Sequence, residues 1–297
     1  MRVNELLLKK KIVIFGCGYI GEKLAEACLK LGWEVTALTR NPVTAKSLNS
    51  KSVKTIVANL MNHEWHSQIS LDQNYLVDCV GAAEPNLEGY DASYRKGMRS
   101  ILEWVNKTKK PLDALLFTSS TSVYPQTDGS LVTEQSNHEG VSERGKILLE
   151  AERLCLSASS DKVLKRVVLR FAGLYGPNRH LLLNHVREGR QLKGASHRIL
   201  NLLHQTDAVS SILSCLNAQT ISAETTFNVS DNRHASRGEI VEWLAKKMKV
   251  KNPGFDGEEK TQIPNRKIDS GKIRKSLSWS AKYSGFEAGY EDLLATH

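Results

Sequence analysis

Three glycines carry the clearest chemistry in this chain. Gly16, Gly18 and Gly21 in IVIFGCGYIGEKLAE form a G-x-G-x-x-G pattern, with a β-branched apolar run before it and a helical run after it. In such a turn the first glycine permits the tight bend and the second lets the backbone approach a pyrophosphate. The third lets helix and strand pack closely, and free amides at the helix start face the anion. Strand, helix and a further strand all surround the pattern, and that context separates a dinucleotide site from a glycine turn without a ligand. The second strand ends in ALTRN, so Thr39 and Arg40 stand where NAD binders usually carry an acid for the ribose 2′-hydroxyl. A guanidinium suits a 2′-phosphate, and no carboxylate stands beside it to repel one. NADP is therefore the expected cofactor, with NAD as the alternative.

Other chemistry-bearing residues are less specific. His63 and His66 in NHEWH offer two nitrogen ligands but no third nearby, and no metal is expected. Cys17, Cys28, Cys79, Cys155 and Cys215 are odd in number and scattered in apolar patterns, which suits buried thiols in a reducing compartment rather than a disulfide framework. The formal charge is +9, from 41 basic and 32 acidic residues. Its clusters, LLKKKIV and AKKMKVK, lack interleaved aromatics, so they are read as solvated surface and no nucleic-acid partner is expected. No apolar stretch approaches the ~20 residues needed to span a bilayer, and the leucines near the N-terminus are too few for a secretory core. The expectation is a soluble, cytoplasmic chain without a membrane partner.

The elements that must position these residues alternate. KKIVIF, WEVTALT, VKTIVA, NYLVDCVGAA, LDALLFTSS and VLKRVVLRFAGLYG have strand character, and IGEKLAEACLKLG and SYRKGMRSILEWVNKT have helical character. In the first helix Ile20, Leu24, Ala27, Cys28 and Leu31 share one face. Continuous apolar strands alternating with amphipathic helices indicate an α/β fold, a doubly wound parallel sheet of the Rossmann type. Beyond about residue 177 short strands (RILNLL, TTFNVS, NRKID) mix with helices. The expected organisation is a nucleotide-binding domain over 1–177 and a smaller α/β substrate lobe over 178–297, interleaved rather than separately folding.

Several segments together resemble the extended short-chain dehydrogenase/reductases, which include nucleotide-sugar epimerases, dehydratases and reductases. FTSSTSVY at 117–124 resembles that family's fifth strand end, and LRFAGLYGPNRH at 169–180 its sixth strand and R…YGP signature. NLLHQTDAV, with His204 and Asp207, resembles its later helix junction, where Asp207 is read first as an N-terminal helix residue. FNVSD and NRKIDSGKIRKSLSW resemble its C-terminal lobe. The resemblance implies that Ser120 orients a substrate carbonyl and that Lys146 binds the nicotinamide ribose. The residue four before Lys146, where the family keeps its catalytic tyrosine, is Ser142. This departure, and Phe15 at the first glycine of the usual G-x-x-G-x-x-G, resemble an atypical, YeeZ-like subgroup that binds NAD(P) without the tyrosine.

A phenol reaches farther than a hydroxymethyl group and ionises near pH 10, within range of tuning by an adjacent ammonium; Ser142 has neither property. The proton donor must then be Tyr124, Tyr175, His180 or a lysine-activated water, with Arg179 as a candidate for an anionic substrate group. Packing is the simpler role for the two tyrosines, and capping or solvation for His180. Candidate cofactor contacts are Gly16, Gly18, Tyr19, Ile20, Gly21, Arg40, Asn59, Leu60, Val80, Gly81 and Lys146. The function expected is an NAD(P)-linked oxidoreductase or epimerase-like enzyme acting on a polar, anionic small molecule, with a non-catalytic NADP(H)-binding regulator as the alternative. Pairing through SYRKGMRSILEWVNK and SERGKILLEAERL, as the family often does, implies a homodimer.

Overall fold

The computed structural model describes residues 9–257 and 263–295; the leucines at 6–8 weighed above lie outside them. Strands β1 (Lys11–Phe15), β2 (Glu34–Thr39), β3 (Lys54–Val57), β4 (Tyr75–Asp78) and β5 (Ala114–Ser120) alternate with helices α1 (Gly21–Lys30), α2 (Pro42–Asn49), α3 (Leu87–Tyr90) and α4 (Gly97–Val105). A short β6 (Leu131–Val132), α5 (Glu143–Leu156), β7 (Arg166–Phe171), β8 (Gly173–Tyr175) and α6 (Leu181–Arg187) follow. The remainder is β9 (Ile199–Leu200), β10 (Leu202–His204), α7 (Gln205–Asn217), β11 (Glu224–Val229), β12 (Ala235–Ser236), α8 (Arg237–Met248), β13 (Lys267–Ile268), α9 (Gly271–Leu277) and α10 (Phe286–Ala295).

The main sheet is parallel, in the order β11-β7-β5-β4-β1-β2-β3. Inside it lies β1, where Ile14 lies opposite Ala37 of β2 on one side and Val77 of β4 on the other. Ile12, Val13, Ile14 and Phe15 have no exposed surface, which is why this strand reads as an unbroken apolar run rather than an alternating one. From β1 the chain builds outward to β3 on one side, then returns to β4 and builds the other way. The loops after β1 and β4 thus stand at the point where strand order reverses, the usual place for a ligand in an open α/β sheet.

Three sequence expectations change. The sequence places TTFNVS in the smaller lobe, but Glu224–Val229 is the seventh strand of the main sheet, at its edge beside β7. Six residues carry no mark of which sheet they will join, because the pairing is non-local. The face expected on α1 is buried at Ile20, Leu24 and Cys28, but Leu31 sits at the C-cap with 53% exposure, since Gly32 at φ 75° ends the helix there. The segment SYRKGMRSILEWVNKT is also not one regular helix. Asp91–Lys96 is π-helical and only Gly97–Val105 continues as α4.

By its internal contacts the chain divides into two compact units, each built from several segments. The first comprises residues up to Thr118, Ile147–Val168 and Ser222–Thr225; the second comprises Ser119–Lys146, Leu169–Ile221 and residues from Thr226 on. Both units draw on chain from either side of residue 177. The second has its own core, in which Tyr175, Leu183, Leu202, Ile240, Leu244, Phe286 and Tyr290 pack together. Among the described residues no helix is long and apolar enough to cross a membrane.

That core is tight at one place. A methyl group at Gly289 would stand 1.9 Å from the Tyr175 hydroxyl oxygen and 2.7 Å from the ring carbon that bears it. The ring is held between His204 and Tyr290, with centroids 5.2 and 5.1 Å away. Gly289→Ala is expected to destabilise the protein by about 2 kcal/mol, as overpacking of a close-packed core does. Urea unfolding monitored by tryptophan fluorescence measures it, and an unchanged midpoint would contradict this packing.

Candidate active site

The glycine loop divides its work among three residues. Gly16 adopts φ 79°, and a methyl group there would lie 2.6 Å from the backbone nitrogen and Cα of Val80, in the segment after β4. Gly21 opens α1, and a methyl group there would lie 2.4 Å from the Gly16 carbonyl oxygen. Gly18 is exposed, and a methyl group on it would meet nothing within 4 Å. Two glycines are thus required by the protein's own packing, and the third leaves open space at the turn. This is the cradle that a pyrophosphate needs: close backbone approach, a clear face and the amino end of a helix. The residues present fit the group.

The neighbouring candidates are placed as follows. Tyr19 is half-buried and Ile20 buried. Arg40 is exposed immediately before α2, whose first turn contains no acidic residue and whose N-cap, Asn41, accepts from the Val43 and Thr44 amides. Asn59 Oδ1 accepts from the Met61 amide at 3.2 Å. Leu60 is buried; its carbonyl accepts from Trp65 Nε1 at 2.9 Å, and its side chain lies where a methyl group on Gly97 would be 2.9 Å away. The Val80 amide donates to Asp78 Oδ1 at 3.0 Å. His66 is no open ligand: its ring nitrogens meet Ser100 Oγ at 3.1 Å and Lys107 Nζ at 3.0 Å. Among the described residues no three His, Cys, Asp or Glu side chains gather as a metal site.

The second unit holds the other candidates. Ser120 ends β5 and its Oγ accepts from the Ser122 amide at 3.1 Å, which starts a 3-10 turn over Thr121–Val123. Ser142 stands just before α5, and its Oγ accepts from the Gly145 amide at 3.3 Å while its carbonyl accepts from the Lys146 amide. It therefore caps the helix, a role suited to serine and unsuited to tyrosine. A methyl group at Gly145 would lie 3.5 Å from the Ser122 carbonyl oxygen, so the first turn of α5 packs on the turn that follows Ser120. Lys146 projects outward and pairs with Glu143 at 2.6 Å, with side chains 58% and 65% exposed.

The two tyrosines differ from one another. Tyr124 has no exposed surface; its hydroxyl donates to Asn228 Oδ1 at 2.8 Å and accepts from Arg170 Nη1 at 2.7 Å. Burial raises its pKa, and the Arg170 guanidinium offsets this only in part. Tyr175 lies in the apolar core with its pKa far above the usual phenol range, mainly through burial and then through Asp231. In YGPNRH, Pro177 and Asn178 (φ 60°) occupy the middle of a tight turn in which Gly176 and Arg179 exchange backbone hydrogen bonds. The turn brings the exposed Arg179 and half-buried His180 to the start of α6, with His180 Nδ1 3.1 Å from the Gly176 carbonyl oxygen.

Residues 12–230 match the sequence profile of the NAD dependent epimerase/dehydratase family. The chain belongs to that family. Protein YeeZ of Escherichia coli K12 is 25% identical to this family member over 289 residues, covering 96% of this chain and 98% of YeeZ. In fold it is similar to the dTDP-glucose 4,6-dehydratase of Bacillus anthracis, solved with NAD (21% identity, TM-score 0.81, 96% of each chain). It is likewise similar to the UDP-glucuronic acid 4-epimerase of Bacillus cereus, solved with UDP-glucuronic acid and NAD (21% identity, TM-score 0.80, 97% of this chain and 100% of that one).

Sequence reasoning missed the side chains that shape the segment after β4. Asp78 stands within the apolar run NYLVDCVGAA, and it is fully buried with a pKa raised to about 7 by desolvation. A lone acid inside an apolar run, with no basic residue at pairing distance in sequence, was the available signal. Asp207 is in the first turn of α7 as expected, but its carboxylate also receives the Lys282 and Tyr283 amides at 2.6 and 3.1 Å, fastening a distant segment. His204 caps that helix through Nδ1 and stays neutral, its pKa lowered to about 4 by burial.

The open space at Gly18 yields a sharp contrast. Gly18→Ala is expected to leave thermal stability within about 0.5 kcal/mol of the parent, the usual range for a surface change. It should nevertheless weaken dinucleotide binding at least tenfold. Gly21→Ala should destabilise the fold outright. Calorimetric melting and cofactor titration on the same samples check this, and equal losses for both variants would contradict the assignment.

Proposed function

We propose that this chain binds a nicotinamide dinucleotide through its glycine loop and is an oxidoreductase or nucleotide-sugar epimerase-like enzyme that works without the family's tyrosine. The observation that carries this is the division of labour among Gly16, Gly18 and Gly21 in a chain of that family. The bound dinucleotide supplies hydride transfer; the protein supplies orientation and the proton. Ser120 suits the first task, because its oxygen is fixed by the Ser122 amide while its O–H remains a donor. Lys146, once released from Glu143, suits a ribose.

For the proton we favour His180. Donation from Nδ1 to the Gly176 carbonyl at 3.1 Å holds the ring in place, and an imidazole can both give and take a proton. Tyr124 is committed to Arg170 and Asn228, and Tyr175 to packing; burial disfavours the phenolate of each. Arg179 beside it fits the anionic part of a substrate such as a nucleotide sugar, the class bound by the epimerase of Bacillus cereus. Arg40, without an acid in the first turn of α2, supports NADP over NAD. The five free cysteines support a cytoplasmic setting, and a homodimer is proposed by analogy with the family. A second reading, a non-catalytic NADP(H)-binding regulator, is favoured by Ser142 serving as a helix cap and by Lys146 pairing with Glu143.

Isothermal calorimetry with NADP and NAD is the direct test, followed by assays of hydride transfer or epimerisation over a panel of nucleotide sugars. NADP should bind more tightly, and Arg40→Ala should cost about tenfold for NADP, of the order of one charge-assisted contact, and almost nothing for NAD. His180→Gln should lower kcat at least tenfold with little change in cofactor affinity. Binding without turnover on any substrate would favour the regulator. No binding of either dinucleotide at millimolar concentration would overturn both readings.

A further inference from the structure

We propose that Asp78, Ser93 and Tyr94 are positioning residues that preset the segment after β4 for the dinucleotide, and that ionisation of Asp78 weakens dinucleotide binding. This rests on the dinucleotide reading above and adds the residues that shape the site together with its response to pH.

Three backbone N–H groups in this short segment are claimed by side chains. The Val80 amide donates to Asp78 Oδ1 at 3.0 Å, the Ala82 amide to Tyr94 Oη at 3.1 Å, and the Ala83 amide to Ser93 Oγ at 2.9 Å. Ser93 and Tyr94 are adjacent in sequence and act together because they sit in the π-helical stretch Asp91–Lys96. Side chains one apart diverge on an α-helix, and the wider π turn brings them closer in angle. The stretch is pinned at its other side: Asp91 pairs with Arg95 and Lys96, and Arg95 Nη1 meets Glu150 of α5 at 2.8 Å. The held segment is also the one that Gly16 touches, since a methyl group at Gly16 would be 2.6 Å from Val80. Moving Val80 therefore moves the wall of the glycine loop.

Asp78 is the part that can change state. It is fully buried, and its second oxygen, Oδ2, is buried without a hydrogen-bond partner. The titratable groups facing it are Cys79 beside it, Cys155 of α5 and Tyr94 of the π turn, each with its own pKa raised in part by Asp78. Cys17 of the glycine loop and Cys28 of α1 act on Cys79 in turn. None is cationic; Arg166, which acts on Cys155, is occupied by the Val163 carbonyl and Glu224. Burial raises the Asp78 pKa from 3.8 to about 7, opposed only by the Val80 amide. The protonated form is thus the one the fold favours, and that preference is complete below about pH 4 and lost as pH rises through 7. Above it, a negative charge stands directly behind the loop that would receive a doubly charged pyrophosphate.

The test is NADH binding, followed by fluorescence titration at constant ionic strength from pH 6 to 8.5. The pyrophosphate of NADH does not titrate in this window. The dissociation constant of the wild type should rise about tenfold across the range, the linkage expected for one coupled proton. Asp78→Asn keeps an oxygen for the Val80 amide but cannot ionise; its binding should match the wild type at pH 6 and stay flat. Tyr94→Phe should weaken binding a few-fold at every pH with the slope retained. If Asp78→Asn does not fold, the wild-type slope and Tyr94→Phe decide. A wild-type affinity that is intact but independent of pH, or an equal slope in Asp78→Asn, would overturn the inference and leave the function reading standing. Absence of NADH and NADPH binding at every pH would overturn both.

Discussion

The arrangement depends on one contact between two stretches of bare backbone. Where strand order reverses, Gly16 after β1 and Val80 after β4 come so close that no side chain fits between them. Gly21 repeats the constraint between the loop and α1. With both positions closed to any other residue, the turn is held in one shape while Gly18 stays exposed. A charged ligand can then be met by preorganised amides rather than by flexible side chains, which limits the ordering entropy of binding. Asp78, Ser93 and Tyr94 complete the same economy of motion by tying the facing segment through its own N–H groups.

In the second unit, Ser142 changes geometry as well as chemistry. Here α5 starts at Glu143, and Ser142 spends its oxygen on the helix end. Lys146 pairs with Glu143 one turn earlier on the helix. His180 lies in the same unit, its ring oriented by the turn that Pro177 and Asn178 impose.

Much of this was legible in the sequence, for local reasons. The glycine spacing and the buried strands around it are short-range patterns, and they predict the sheet, the turn and α1. The seventh strand was not legible as such, because Glu224–Val229 has ordinary strand composition and its partner, β7, lies more than fifty residues away. The π turn was hidden as well, since its side chains continue a helical periodicity. Asp78 escaped notice because its significance lies in what is missing around it: water and a counter-charge. Tyr124 was legible as a tyrosine, but its bonds to Arg170 and Asn228 join residues 46 and 104 positions away.

The central claim is that a dinucleotide phosphate is held by main-chain amides at the open face of Gly18. A crystal structure of the chain grown with NADPH tests this most directly. The account predicts pyrophosphate density against Gly18 and the start of α1, with Gly16 and Val80 unmoved. A nucleotide bound elsewhere, or a loop that must rearrange to admit it, would contradict the account.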